Sequence, residues 1–153
     1  MTSDEILSEL RTMSSEKYKA NVVKLGIPEA CSIGVSTADV RKLAKKAGKD
    51  NALAHELWNT GYHEARLLAV LVIDKKKFTL QEGEAFMHDV ISWDLCDHLC
   101  KNLLIKLKGY EDLIEKWCDA EAVYVKRAAY TLMASAAIHE KNLENETLDH
   151  YLS

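Results

Sequence analysis

The chain has 153 residues, 48% of them hydrophobic and 29% charged, with one proline, six glycines and a formal net charge of −4. That length supports a single domain with a substantial core, and the scarcity of Pro and Gly excludes a turn-dense β architecture. A mildly acidic chain has no global basic footprint, so a nucleic-acid partner would have to meet a local patch.

No apolar run approaches the roughly 20 residues that span a bilayer, so no membrane segment is expected. The opening "MTSDEILSEL" is acidic rather than a basic lead into an apolar stretch, and no signal peptide is expected. Four cysteines without a secretory signal imply a cytoplasmic protein. Cys96, Cys100 and Cys118 fall in helical patterns and are expected as reduced core thiols.

In chain order, the apolar spacing is helical almost throughout. Ser3 is the expected N-cap of a first helix carrying Ile6, Leu7 and Leu10. A second helix follows Ser14 or Ser15 and ends near Gly26, before the irregular "GIPEACSIGV". "STADVRKLAKKAG" is a marked helix, capped by Ser36 or Thr37 and stopped by Gly48. From about residue 50 the chain falls into helix pairs. "NALAHELWNTG" precedes "YHEARLLAVLVID", "TLQEGEAFMHDVI" precedes "SWDLCDHLCKNLLIKLKG", and "YEDLIEKWCDA" precedes "EAVYVKRAAYTLMASAAIHEK". A pair recurring at a spacing of roughly 30 residues is the mark of an α-solenoid, in which each pair buries its apolar face against its neighbours. The expected fold is therefore all-α, a single solenoid domain over residues 1–153. "ENETLDHYLS" is expected as a separate short last helix, with Leu148, Tyr151 and Leu152 seeking a partner.

Three inner helices open with polar clusters at equivalent places. They are His63, Glu64 and Arg66; then Trp93, Asp94 and Asp97; then Lys126 and Arg127. Stacking would align these openings along one concave edge. Ser92 and Asp94 suit a helix start, a cap and a dipole partner. Asp97 stands one turn beyond Trp93 on the same face, and two readings stay open for it: a catalytic carboxylate beside an aromatic ring, or a surface ion pair with Lys101. Cys96 and Cys100, near His88 and His98, complete no tetrahedral metal set and continue the apolar face. No Gly-rich phosphate loop is present.

"GVSTADVRKLAKKAGKD", "LAHELWNTGYHEARLLAVLV", "ISWDLCDHLCKNL" and "YVKRAAYTLMA" together resemble the DNA alkylation repair family of HEAT-like-repeat glycosylases, from about Gly34 to about Lys141. The resemblance implies a superhelix of HEAT-like repeats whose basic concave surface cradles duplex DNA. It implies hydrolysis of the N-glycosidic bond of cationic alkylated purines, such as 3-methyladenine and 7-methylguanine, with no metal or cofactor and without flipping the damaged base. The family's Trp-x-x-x-Asp pair matches Trp93 and Asp97 as catalytic residues, and its helix-start arginine matches Arg127 as a phosphate contact. Further DNA contacts are expected from Lys126, Lys42, Arg66 and Lys101, with a local stripe from Lys45, Lys46, Lys49, Lys75 to Lys77, Lys106 and Lys108. The sequence shows no counterpart of the later repeats that complete the cleft in this family, and a monomer is expected. The competing expectation is a non-catalytic solenoid that binds DNA or a protein through the same surface.

Overall fold

The computed structural model describes the backbone of residues 1–152 and the side chains as far as Ile138, and every regular element among them is helical. Side-chain caps start most helices where the sequence places them, because the first amides of a helix have no internal acceptor. Helix α1 (Ser3–Thr12) begins on the Thr2 hydroxyl, one residue before the expected cap, since it is Thr2 that reaches the Glu5 amide. Helix α2 (Glu16–Lys24) begins on Ser15, and α3 (Thr37–Ala47) begins on Ser36 and stops at Gly48. Helix α4 (Asn51–Asn59) is capped by Asp50, and α5 (His63–Leu71) has no side-chain cap. Helix α6 (Leu80–His88) opens with a reciprocal box between Thr79 and Glu82, and α7 (Trp93–Asn102) opens on Ser92. Helices α8 (Tyr110–Trp117) and α9 (Val123–Leu152) complete the set.

Two expectations change in this part of the chain. The stretch read as one helix from Ser92 ends at Asn102, and a 3-10 turn, Leu104–Lys106, leads to the next pair. The final segment is no separate helix but a continuation of α9, because no Gly or Pro interrupts the sequence beyond Ile138. Leu148, Tyr151 and Leu152 lie outside the described side chains.

Helices α3, α5, α7 and α9 lie side by side as an inner layer, with α4 packed on α5 and α8 on α9. The inner helices run parallel and in step. His63 meets Asp94 and His98 meets Leu67, while the Cys96 thiol donates to the Tyr124 carbonyl and the Cys100 thiol to that of Ala128. Each contact joins residues roughly one repeat apart, as the solenoid reading requires. The thiols are therefore core donors. Cys100 is pushed above the ordinary thiol range, first by its bond with Cys96 and then by burial. Leu57, Leu68, Leu95, Leu99, Leu113 and Leu132 fill the space between layers, each almost wholly buried. Truncating one such leucine to alanine costs about 2–5 kcal/mol. Outside the inner layer, Phe86 of α6 stacks on Trp58 of α4 with ring centres 4.2 Å apart. Gly83 lets α6 close onto the turn after α7, since a Cβ there would meet a Leu104 methyl at 2.7 Å.

The irregular segment after α2 is pinned rather than loose. Gly34 has φ +89°, and a side chain there would collide with the Ser15 carbonyl at 2.7 Å. The fully buried Glu64 carboxylate accepts the amides of Ile33 at 3.0 Å and Gly34 at 2.8 Å. The segment thereby closes over the start of α5.

Candidate functional site

Trp93, the first residue of α7, leaves 45% of its surface exposed, as do the neighbouring large side chains Ile91, Val123 and Tyr130 to a similar or greater degree. One turn on, Asp97 points toward α9. Its two oxygens accept from Arg127, Nε to Oδ1 at 3.0 Å and Nη2 to Oδ2 at 2.9 Å. The Thr131 hydroxyl donates to Oδ1 at 3.2 Å. The Arg127 guanidinium also stands 5.7 Å from the centre of the Trp93 ring, within reach of a cation–π attraction. Trp93, Asp97, Arg127 and Thr131 are thus one assembly at the groove between two inner helices.

Electrostatics follow from that geometry. The Arg127 bonds hold the Asp97 carboxyl below the usual carboxylate range, against the opposing effect of partial burial. The same bonds push Arg127 above its ordinary value. Asp97 is therefore a fixed negative charge at neutral pH. The guanidinium has five N–H donors and uses two on Asp97, and its side chain remains 46% exposed. Its remaining donors can take a phosphate without releasing the carboxylate.

The expected ion pair of Asp97 with Lys101 does not form: the longer, planar Arg127 reaches both oxygens, and Lys101 acts only as a nearby exposed charge. Asp94 is more than a dipole partner. It accepts from the buried His63 ring at 3.2 Å, a bond that lowers its pKa. Thr131 escaped the sequence reading, although its place one turn after Arg127 on a helix was a usable signal.

The aligned polar row is only half real. His63 is 4% exposed, Glu64 is wholly buried on the Ile33 and Gly34 amides, and Arg66 donates to the carbonyls of Trp58 and Asp89 at 3.0 and 3.1 Å. Arg66 also lies over the Trp58 ring at 5.0 Å. Two of its five N–H groups thus clamp the turn between repeats. Lys126 is exposed beside Arg127. Lys42 is exposed too, but belongs to another edge. There Arg41, Lys42, Lys45 and Lys49 line one concavity, and Lys75, Lys76, Lys106 and Lys108 line another. Lys46 leaves the stripe by pairing with Glu9 at 2.9 Å.

The profile of the DNA alkylation repair enzyme family matches residues 6–150. The chain belongs to this family. Its fold is also that of a solved structure described as "a new family of proteins related to the HEAT-like repeat DNA glycosylases with affinity for branched DNA structures". The two agree with a TM-score of 0.80 at 22% identity, over 87% of this chain and 56% of that one. The DNA alkylation repair chain thus has a HEAT-like-repeat fold and spans about half the length of that relative. No curated protein matches the sequence.

Proposed function

We propose that this chain is a DNA glycosylase that hydrolyses the N-glycosidic bond of cationic alkylated purines, such as 3-methyladenine and 7-methylguanine, in duplex DNA. The observation that carries the reading is an ionised, doubly anchored carboxylate, Asp97, one turn from the half-exposed Trp93. An N-alkylated purine already bears a positive charge. When its bond to C1′ breaks, the electron pair neutralises the leaving base, and positive charge moves onto the sugar. Asp97 opposes that developing charge, and the electron-rich face of Trp93 favours it as well. A carboxylate with a lowered pKa is a weak base, so its main contribution is electrostatic. A water then adds to C1′ and releases a proton to the surrounding solvent, leaving an abasic sugar and a neutral free base. Arg127 holds a backbone phosphate with the donors Asp97 leaves free.

The second reading is a non-catalytic DNA-binding solenoid. It is favoured by the occupied state of both Asp97 oxygens and by the relative's described affinity for branched DNA. Release of methylated purines from methylated duplex DNA separates the readings. The glycosylase reading requires release that collapses in Asp97→Asn. DNA binding with no release above the spontaneous background assigns the solenoid reading, whereas release that Asp97→Asn leaves intact keeps a glycosylase and removes Asp97 as its catalytic group.

A further inference from the structure

We propose that the pocket between the turns following α3, α5 and α7 is a binding site for a multiply charged phosphate group, of the kind carried by a nucleic-acid strand end or a free nucleotide. The pocket has a volume of about 220 Å³ and is entered by Arg41, Lys49, Lys75 and Lys106, with Asn102 at its wall. These residues come from α3 and three successive turns, so stacking of the repeats alone brings them together. Among the described residues no carboxylate lines it.

The cations are close enough to oppose one another. Burial first, and then Lys75 and Lys49, push the Lys106 ammonium below the usual lysine range. Helix ends explain one of the four, since Lys49 donates to the Leu71 carbonyl at 2.9 Å near the C-terminus of α5. Arg41, Lys75 and Lys106 have no ion-pair partner among the described residues. A phosphodiester brings a single negative charge and leaves most of this cluster unanswered. A terminal phosphate or a diphosphate brings more charge in the same small volume, with several acceptors for the guanidinium and ammonium donors. The two wider basic concavities open on either side, sharing Arg41 and Lys49 with the pocket on one flank and Lys75 and Lys106 on the other. They leave room for the rest of a strand or nucleoside. The site lies at the far end of the inner helices from Trp93, about 15 Å away along a ten-residue helix.

Calorimetric titration with inorganic pyrophosphate tests the site on the full chain, on Lys75→Gln with Lys106→Gln, and on the charge-matched control Lys17→Gln with Lys24→Gln. The pocket pair should lose about tenfold or more in affinity, since each charge-assisted bond contributes about that factor. The control should bind as the unchanged chain does. Absence of pyrophosphate binding, or an equal loss in both pairs, overturns the proposal. Two further probes separate the sources. A short single strand bearing a 5′-phosphate that binds more tightly than its 5′-hydroxyl twin, with the preference lost in the pocket pair, assigns a strand end. ADP binding as tightly as pyrophosphate, without preference between the strands, assigns a nucleotide. A 5′-hydroxyl strand that outbinds ADP and displaces pyrophosphate overturns the proposal, because diesters then suffice. Base release and its Asp97→Asn control concern the opposite edge, so the functional reading and this one fail separately.

Discussion

The openings of α5 and of the α7–α9 pair occupy equivalent places in the repeat and do opposite work. At α5 the polar residues are turned inward: Glu64 grips two amides, His63 is buried and Arg66 binds two carbonyls. At α7 and α9 the same positions leave Trp93 and Arg127 nearly half exposed around an ionised Asp97. What differs is the cover. The segment after α2 folds over α5, and its amides need acceptors. Position in a repeat offers a site, and the neighbouring segment decides whether it stays open.

The largest effect comes from breaking the closed opening. Glu64→Ala should lower stability by about 3–5 kcal/mol, because two buried amides lose their acceptor and the covering segment loses its anchor. Urea unfolding measures it. Glu64→Gln keeps one carbonyl acceptor and should lose markedly less. Equal losses in the two variants would break the comparison, since bulk rather than amide capture would then explain Glu64.

At the open site the effect should fall on chemistry instead. Asp97→Asn removes the charge but keeps the size of the side chain, and should slow base release by about 10²–10³-fold, as loss of a preorganised electrostatic group does. Its unfolding free energy should change by about 1 kcal/mol, because Asn keeps one acceptor for Arg127, whose side chain is nearly half exposed. The acid limb of activity should not begin until below about pH 4, the ordinary aspartate range, because Asp97 titrates below that value in the fold. A rate falling already at pH 6 would assign another group to the step.

Much of this was legible in the sequence, for identifiable reasons. Caps and stops are local chemistry, so Ser15, Ser36, Gly48 and Ser92 mark helix ends where they stand. The repeat of roughly 30 residues makes the layers readable, because parallel stacking puts residues one period apart in contact. Trp93 and Asp97 were legible as one helix face. The bonds were not: Arg127 for Asp97, His63 for Asp94 and the Ile33 and Gly34 amides for Glu64 each stand one period away, but which donor meets which acceptor depends on side-chain reach and direction, which the period alone does not encode. The lysines were expected as a local stripe, but the pocket they enter was not legible, because it takes the turns of three repeats to gather Lys49, Lys75 and Lys106.

The two arginines sharpen the contrast at a smaller scale. Arg66→Gln should lower stability by about 1–2 kcal/mol, through its two carbonyl bonds and its contact with Trp58, and leave the salt dependence of DNA binding unchanged. Arg127→Gln should do the reverse, reducing the slope of log affinity against log salt by about one. If both variants shift the slope alike, the α5 opening is not closed to DNA.

The smallest effect lies at His98, in the seam between α5 and α7. Its Nε2 bonds the Leu67 carbonyl at 2.9 Å and its Nδ1 faces the Asn102 amide nitrogen at 3.2 Å. A neutral ring with the proton on Nε2 satisfies both partners, whereas a second proton on Nδ1 would meet a donor. Burial, and more weakly Arg41, hold its pKa below the ordinary histidine value, with the Leu67 bond and Asp94 opposing. The unfolded chain, titrating near pH 6.5, therefore takes up this proton first on acidification. Stability is complete above about pH 6.5 and declines as pH falls toward the folded value. Asp94 and Asp97, with lowered pKa values, add their losses only below about pH 4. In His98→Gln an amide can donate to Leu67 and accept from Asn102 without titrating. Thermal melts between pH 7.5 and 5 should therefore show a shallower decline in this variant than in the unchanged chain. Parallel declines would place the acid sensitivity elsewhere and leave the seam indifferent to protonation.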